Sequence, residues 1–307
     1  MPKEWRINML IAIDSPSVII NNYITEHSQS QELEKLAEHK RATDGVTKDF
    51  YQFLVNNEEH TKAKRVRDCA NFVTYRNYAE LGIKKLDSIN LCRERLCLNC
   101  QKALAIERLP AYIYSTQGIQ LRHITLTVKN VKSGVLRNTI LTMKKALKSM
   151  LRSLKVKDYI PSYEITYKEA DDTYHPHIHL LCKAENMTYK NSALKRLWAE
   201  WYNKYAGTNF KYLHCNNRLV ENNVSASLEM CKYVSKPTSI TPQTIPTLYN
   251  SLKGLHLHQA NGTFKQRIAE YNGYNEAERE KINSLLENYE YTIEQYLYNG
   301  ENYIKIE

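Results

Sequence analysis

The chain has 307 residues, of which 42% are hydrophobic and 25% are charged, a composition ordinary for a soluble globular protein with one large domain or two small ones. Lys and Arg outnumber Asp and Glu by 43 to 33. Because residues 268–307 are acidic, residues 1–267 carry a net charge of about +16. A positive electrostatic field of this kind favours binding of a polyanion such as nucleic acid. The first residues lack a signal-peptide pattern and no stretch approaches the ~20 apolar residues of a membrane span, so we expect a cytoplasmic protein with reduced thiols and no membrane contact.

Residues 1–66 are expected to form a helical N-terminal extension. Two polar segments within it, SQELEKLAEHKRA and TKDFYQFLVNNEEHTKAKRV, place apolar residues at helical spacing. Neither segment indicates a function.

A cysteine cluster follows in residues 67–118. Cys97 and Cys100 have the two-residue spacing with which a pair of thiolates grips one Zn²⁺, and Cys69 and Cys92 can complete a tetrahedron. A redox role is less favoured, because the flanks are polar and basic and no strand-helix-strand unit precedes the pair. We therefore predict a structural zinc site, and we interpret the other three cysteines as buried thiols: Cys182, Cys215 and Cys231.

From residue 119 to residue 267 the periodicity predicts an α+β core. The elements, in order, are the strand QLRHITLTV, the helix VLRNTILTMKKALKSMLRSLKV, the strands SYEITYK and YHPHIHLLCK, the helix SALKRLWAEWYNKYAG and the strand FKYLHC. This β-α-β-β-α-β order is the signature of a ferredoxin-like antiparallel sheet with helices on one face. The other face of the sheet is left open for a site.

Three histidines alternate along one of these strands, at His175, His177 and His179, so their side chains point to the same face. In a hairpin closed by the turn EADDT, Glu164 lies opposite His177, with the two Cβ atoms ~5 Å apart. Imidazole nitrogens beside a carboxylate suit a divalent metal with open positions. We predict that His177, His179 and Glu164 bind a catalytic ion, for which Mg²⁺, Mn²⁺ and Zn²⁺ are all chemically suitable.

The same string fits a second chemistry. A His-x-His-x-His run followed by two apolar residues also describes histidine-triad nucleotide hydrolases, in which the middle histidine attacks a phosphate directly. The local pattern leaves both hypotheses open, and the residues downstream favour the metal-dependent one.

The segment SLEMCKYVSKP predicts a short helix that stops at Pro237. Glu229, Lys232, Tyr233 and Lys236 then fall on one stripe. This stripe offers a hydroxyl nucleophile, a carboxylate for proton handling and two cations that can contact phosphate.

These motifs together resemble the HUH endonuclease superfamily, specifically the rolling-circle replication initiators of small Gram-positive plasmids. HITLTV resembles the first motif of that family, HPHIHLL the second and EMCKYVSK the third. Flanking segments such as RVRDCANFVTYR, LCRERLCLNCQ and LKGLHLHQANGTFK extend the resemblance from about Arg67 to Lys265. The family's first motif usually begins with an aromatic or aliphatic residue where this chain has His123.

The resemblance implies a mechanism. A Mg²⁺ or Mn²⁺ ion at the histidine strand polarises a phosphate of single-stranded or hairpin origin DNA, and Tyr233 attacks it, leaving a 5′-phosphotyrosine and a free 3′-OH primer. Glu229 would activate water in the terminating cleavage, while Lys232 and Lys236 would contact the DNA phosphate. Host helicase and polymerase are the expected partners. A non-enzymatic zinc-dependent DNA-binding regulator is the rival hypothesis, but it leaves the histidine and tyrosine motifs unexplained.

Residues 268–307 are predicted to form an acidic C-terminal helix that ends near Gly300. Its apolar residues fall on one helical face, which must be buried. We expect this face to pack on the body of the same chain rather than on a second protomer, although the pattern leaves the oligomeric state open. The apolar stripe comprises Ile282, Leu285, Leu286, Tyr289, Ile293, Tyr296 and Leu297.

Overall fold

The computed structural model describes residues 23–24, 26–231 and 235–306. These residues form two compact units, the first from the described residues up to 100 together with those from 272 onward, and the second from residues 101–271. Both units contain helices and antiparallel sheet, which confirms the α+β class. None of the helices in the described part of the chain is long and apolar enough to span a membrane.

The helices of the described residues are α1 Glu26–Asn56, α2 His60–Arg67, α3 Leu98–Thr116, α4 Leu136–Ser153, α5 Asn191–Ala206, α6 Asn223–Met230, α7 Ile245–Leu252 and α8 Thr263–Leu286. The strands are β1 Tyr23–Ile24, β2 Phe72–Tyr78, β3 Ile83–Ile89, β4 Leu121–Thr127, β5 Tyr159–Lys168, β6 Thr173–Lys183, β7 Cys215–Leu219, β8 Thr292–Tyr298 and β9 Tyr303–Lys305. Short 3₁₀ turns connect several of them.

The first unit is built on a five-stranded antiparallel sheet in the order β1-β3-β2-β8-β9. Helix α1 packs on this sheet through Leu33, which joins Val73 and Tyr75 of β2 in a buried cluster. Tyr75 also meets Tyr296 of β8 edge to face, with ring centroids 5.9 Å apart. The predicted N-terminal helices are confirmed as α1 and α2 within the described residues.

The C-terminal segment corrects one prediction. Helix α8 ends at Leu286, and residues 292–298 form the strand β8 rather than the second half of a helix. Leu285, assigned to the buried stripe, is 65% exposed. The run TIEQYLY is rich in β-branched and aromatic residues, which pack well on a pleated surface. Within the chain, β8 pairs with β2 from residue 292 to residue 297, so this part of the segment packs as a strand and not through the predicted helical stripe.

A buried ion pair lies within this sheet. The Lys84 ammonium donates to Glu294 Oε2 at 2.7 Å, and both side chains are less than a tenth exposed. Lys305 donates to the other carboxylate oxygen at 2.9 Å, and the Tyr296 hydroxyl donates to Oε2 at 3.1 Å. Burial alone would raise the pKa of the Glu294 carboxyl, but these hydrogen bonds outweigh burial and lower the pKa to about 2. The ladder joins β8 to β2, and this ion pair also connects β8 to β3, the strand on the other side of β2.

We expect Glu294→Gln to lower the free energy of unfolding by about 3 kcal/mol at neutral pH, because it removes the buried carboxylate to which the Lys84 ammonium donates at 2.7 Å. In the wild type, a carboxyl whose pKa is about 2 when folded and near 4.5 when unfolded contributes stability above pH 4.5 that is lost as the pH falls towards 2. The urea concentration at the midpoint of unfolding should therefore change less between pH 7 and pH 3 in Glu294→Gln than it does in the wild type. Glu301→Gln, at an exposed site, is the matched control.

The second unit carries a four-stranded antiparallel sheet in the order β5-β6-β4-β7. Its elements follow the chain order β4, α4, β5, β6, α5, β7, as the periodicity predicts. Trp198 of α5 is fully buried, and its indole N–H donates to the backbone carbonyl of Thr127 at 2.8 Å. Gly207, at φ +66°, ends α5 in the left-handed conformation that glycine adopts without strain.

Two boundaries differ from the prediction in this sheet. Strand β7 begins at Cys215, so most of the segment FKYLHC is a loop and not a strand. The loop's backbone is satisfied elsewhere, since the Asn203 side chain bonds both the N–H and the carbonyl of Phe210. Strand β6 begins at Thr173, one residue before the predicted segment YHPHIHLLCK. It accommodates Pro176 because the ladder between β4 and β6 ends at His177 and Pro176 lies just past it.

Candidate active site

The predicted hairpin register is confirmed. Glu164 of β5 lies directly opposite His177 of β6, and Thr125 of β4 lies opposite His179. Alternation along β6 buries Ile178 and Leu180 in the core and leaves the histidines on the opposite face. The turn and the period of two therefore bring a carboxylate and two imidazoles to one face of the sheet.

These three side chains converge on one carboxylate oxygen. Glu164 Oε2 lies 2.7 Å from His177 Nε2 and 3.0 Å from His179 Nε2. Burial would raise the pKa of the Glu164 carboxyl, but hydrogen bonds from the two histidines outweigh it and hold the pKa well below its usual range. The donor atoms lie within 4.8 Å of one another, so the group can hold a metal ion.

The hydrogen bonds of His177 test whether a cation fits. Its Nδ1 lies 3.1 Å from the backbone carbonyl of His175, and its Nε2 faces the Glu164 carboxylate. The His175 carbonyl oxygen and an ionised Glu164 carboxylate oxygen can only accept hydrogen bonds. The His177 ring facing them therefore carries either a proton on each nitrogen, or a proton on Nδ1 and a cation at Nε2. The second arrangement is the common one for metal-binding histidines. The residues present thus suit a divalent ion.

His179 has a different neighbour. Its Nδ1 lies 3.3 Å from Nε2 of His123, and the two rings are nearly parallel, with centroids 5.3 Å apart. His123 lies on β4 two residues before Thr125, which makes it the diagonal neighbour of His179 across the sheet, and it is 5% exposed. The sequence placed His123 on the correct face of its strand but did not connect it with the histidine strand, because the order of strands in the sheet was needed for that step.

We expect His123→Phe to weaken Mn²⁺ binding by about tenfold, in a range of 10–100 for loss of a hydrogen bond behind a metal ligand. When His179 Nε2 binds a cation, its Nδ1 carries the proton and needs an acceptor, which His123 Nε2 supplies. Phenylalanine keeps the ring but removes the acceptor. His123→Gln, which retains an acceptor, should recover most of the affinity measured by titration calorimetry. Equal affinity in His123→Phe and the wild type would contradict this role.

The third sequence motif is only partly within the described residues. Glu229 is half-buried in the last turn of α6, a helix that packs on β5 and β6. The helix ends at Met230, so the predicted continuation to Pro237 is wrong for Ser235 and Lys236. Lys232 and Tyr233 lie outside the described residues.

Ser235 and Lys236, the next described residues, lie beside the candidate site. Ser235 forms a parallel bridge with Ile165, and its hydroxyl donates to the Ile165 carbonyl at 3.0 Å. The ammonium of Lys236 lies 4.0 Å from Glu164 Oε1, the oxygen not shared by the histidines. The Lys236 ammonium therefore lies beside the Glu164 oxygen that the two histidines do not contact.

The four predicted zinc ligands also come together. The Sγ atoms of Cys69 and Cys97 lie 3.5 Å apart, and Cys100 Sγ lies 3.6 Å from Cys69 and 3.5 Å from Cys92. Thiolates at ~2.3 Å from a tetrahedral ion would be separated by ~3.8 Å, so the cluster is close to that geometry.

The remaining cysteines are buried singly, as predicted. Burial raises the pKa of each of these thiols to about 12, which keeps them protonated. They are Cys182, Cys215 and Cys231.

We expect Cys97→Ser to reduce bound zinc from about one equivalent to near zero and to lower the melting temperature by about 10 °C, because a closed thiolate site contributes its binding energy to folding. Elemental analysis of purified, untagged protein and a thermal melt measure the two effects. Cys182→Ala, at a buried thiol outside the cluster, should leave the zinc content unchanged. Wild-type protein without zinc would refute the assignment of the metal.

Comparison with known proteins agrees with this geometry. Residues 83–304 match the replication protein family. A Protein rep of Staphylococcus aureus is 25% identical over 200 residues, which cover 61% of this chain and 87% of that protein. A Protein rep of Bacillus amyloliquefaciens is 31% identical over 150 residues, covering 46% of this chain and 44% of that protein, and one of Streptococcus pneumoniae is 25% identical over 231 residues, covering 67% and 71%.

No solved structure matches the chain at the same level of significance. The family match spans β3 through β9 and includes the histidine strand, Glu164 and all of the third motif. The resemblance to plasmid rolling-circle replication initiators is thereby confirmed, and the chain belongs to the replication protein family.

Proposed function

We propose that this protein initiates plasmid rolling-circle replication as a metal-dependent endonuclease that nicks and rejoins single-stranded origin DNA. The convergence of Glu164, His177 and His179 on one open face, in a chain of the replication protein family, carries the proposal. We further propose that the second unit is a ferredoxin-like fold of the HUH type. Its chain order and the sheet order β5-β6-β4-β7 support that assignment.

His177, His179 and Glu164 would hold a Mg²⁺ or Mn²⁺ ion. When bound, such an ion supplies Lewis-acid polarisation of a phosphate oxygen and orients the phosphate for in-line attack. The three side chains are at most 13% exposed, so their positions are set by the sheet and not by solvent. Lys236, more exposed and 4.0 Å from Glu164, is suited to contact the DNA backbone.

Tyr233 is the proposed nucleophile. Its hydroxyl oxygen would attack the scissile phosphorus, the bond to the 3′ oxygen would break, and that oxygen would take up a proton to give the 3′-OH primer. The 5′ phosphate would remain on the tyrosine, so attack by a 3′-OH on the same linkage rejoins a strand. A phenol has a pKa of ~10 in water, so proton acceptance and nearby cations assist the attack. Lys232 and Lys236 are the proposed cations, and Glu229 is proposed to handle protons, above all to activate water in the terminating cleavage.

Two features of the described residues support the placement of the third motif. Helix α6, which carries Glu229, packs on the strands that carry the histidines and Glu164. Ser235, two residues after Tyr233 in the sequence, bonds to Ile165, the residue next to Glu164. Both described ends of the motif thus lie against the strands that carry Glu164 and the histidines, which supports the proposal.

We also propose a division of the chain into functional segments, one of which contains the cysteine cluster. Residues 67–118 would form a structural zinc element, residues 119–267 the endonuclease core, and the segments 1–66 and 268–307 its extensions. Origin DNA in single-stranded or hairpin form is the proposed substrate, with host helicase and polymerase acting after the nick in the cytoplasm.

The test is incubation of the protein with labelled single-stranded origin oligonucleotides and Mn²⁺, followed by a denaturing gel. A covalent protein-DNA adduct that EDTA prevents is the expected result. A histidine-triad hydrolase would be insensitive to EDTA, and it is disfavoured because both ring nitrogens of His177 already face oxygen acceptors. Absence of any adduct across candidate origins, with DNA binding retained, would favour a non-enzymatic regulator.

A further inference from the structure

A cavity of about 220 Å³ opens in the second unit, beside the histidine strand. Its lining includes Thr127 at the end of β4, Lys129 just beyond it, Lys195 of α5, and Tyr212 and His214 of the loop before β7. The cavity is smaller than the ~300 Å³ or more that is usual for a site enclosing a drug-sized molecule, so it can take only part of a larger ligand.

The cavity adjoins the candidate metal site through Thr127. This residue is the cross-strand partner of His177, so their side chains lie on the same face with Cβ atoms about 5 Å apart. Thr127 therefore borders the metal site on one side and the cavity on the other.

Tyr212 is an exposed aromatic ring on a fixed backbone. Tyr212 is 65% exposed, yet the backbone on either side of it is anchored. Before it, the Phe210 N–H donates to Asn203 Oδ1 at 3.0 Å; after it, the Leu213 N–H donates to the Lys195 carbonyl at 3.1 Å and the His214 carbonyl accepts from the Thr127 N–H at 3.1 Å. A ring that contributes little to packing but is held in one place has the properties of a stacking platform. Its backbone is already ordered, so little entropy is lost when a planar ligand binds.

The charge of the cavity indicates the class of ligand. Two ammonium groups line it, from Lys129 and Lys195, and none of the described lining residues carries a carboxylate. The Lys129 ammonium lies 4.9 Å from the centre of the Phe210 ring, a cation–π contact that keeps it near the loop. Cations beside an exposed ring bind a base by its face and a phosphate by its charge, which is how proteins bind single-stranded nucleic acid.

We propose that this cavity is a binding subsite for one nucleotide of single-stranded DNA next to the scissile phosphate, with the base stacked on Tyr212 and the phosphate contacted by Lys129 and Lys195. The proposal rests on the proposed function, because that function brings the strand to the neighbouring face. Stacking tolerates any base, so the subsite adds affinity and positions the strand without reading its sequence.

The test is the affinity of the full-length protein for a labelled 12-nucleotide oligo(dT), measured by fluorescence anisotropy without added metal. Tyr212→Ala should weaken binding about tenfold, and Tyr212→Phe should bind like the wild type because the ring is retained. Lys129→Ala should reduce affinity and lower the slope of log affinity against log salt by about one. Tyr189→Ala, at a tyrosine 44% exposed but outside the cavity, is the matched control.

Two further measurements make the result specific. Affinity for duplex DNA should be the same in Tyr212→Ala and the wild type, because paired bases offer no free face to the ring. An abasic position scanned along a single-stranded origin oligonucleotide, whose recognised sequence would hold one register, should cost the wild type affinity at one place, where it costs Tyr212→Ala nothing further. Circular dichroism confirms that the variants fold.

Unchanged oligo(dT) affinity in Tyr212→Ala, or an equal loss in Tyr189→Ala, would overturn the subsite while leaving the proposed chemistry intact if adducts still form. If the wild type forms no adduct but Tyr212→Ala still loses affinity, the proposed chemistry fails and the subsite stands. The two failures are therefore distinguishable.

Discussion

Tyr233→Phe is expected to abolish the covalent protein-DNA adduct while changing the affinity for single-stranded origin DNA less than twofold. The substitution removes one hydroxyl oxygen, which the proposed reaction requires as its nucleophile. Binding depends mainly on lysines and arginines that neutralise phosphates, and none of these is altered. A denaturing gel detects the adduct, and anisotropy on the same oligonucleotide measures the affinity.

The control for this variant is Tyr189→Phe, which removes a hydroxyl from an exposed tyrosine away from the third motif. It should form the adduct at the wild-type rate. An adduct that persists in Tyr233→Phe would transfer the nucleophile to another of the 23 tyrosines of the chain, and peptide mapping of the linked DNA would locate it.

The part of the site that could be predicted depends on local rules. A period of two fixes the face of each histidine on β6, and the turn EADDT fixes the pairing of Glu164 with His177. Both relations involve residues close together in the sequence. The cysteine cluster was predictable for a related reason, because ligand type and spacing restrict how thiolates can surround one ion.

The parts that were not predicted depend on relations between distant residues. His123 and His179 are 56 residues apart, and they meet only because β4 lies next to β6 in the sheet. The helix predicted for residues 287–298 failed because Ile293 and Tyr296 satisfy a helical stripe and also suit a strand. Pairing with β2 decides between the two, and β2 is more than 200 residues away in the chain.

The loop before β7 gives a third case. Phe210 and Leu213 were assigned to a strand because FKYLHC contains the right residue types for one. The structure satisfies their backbone groups with Asn203 and Lys195 instead, which turns the segment outward and exposes Tyr212. These hydrogen bonds to Asn203 and Lys195 therefore explain both why β7 begins later than predicted and why Tyr212 is available for the proposed nucleotide subsite.

His177→Ala is expected to lower the affinity for Mn²⁺ more than about 100-fold, because a direct metal ligand contributes more than the 10–100-fold of a residue that supports a ligand. In an assay with about 1 mM Mn²⁺, the variant should form no detectable adduct. The Glu164 carboxylate would keep one imidazole partner, His179, at 3.0 Å. Calorimetry measures the metal affinity, and the denaturing gel measures the reaction.

The matched control lies on the same strand. His175→Ala removes an imidazole two residues away but retains the backbone carbonyl that accepts the hydrogen bond from His177 Nδ1. Its metal affinity should stay within a few-fold of the wild type, since its side chain is not one of the three converging groups. Equal losses in His175→Ala and His177→Ala would indicate that the strand has been disturbed as a whole. Unchanged metal binding in His177→Ala would contradict the assigned ligand set, whereas lost metal binding with a surviving, EDTA-resistant adduct would separate the ion from the chemistry.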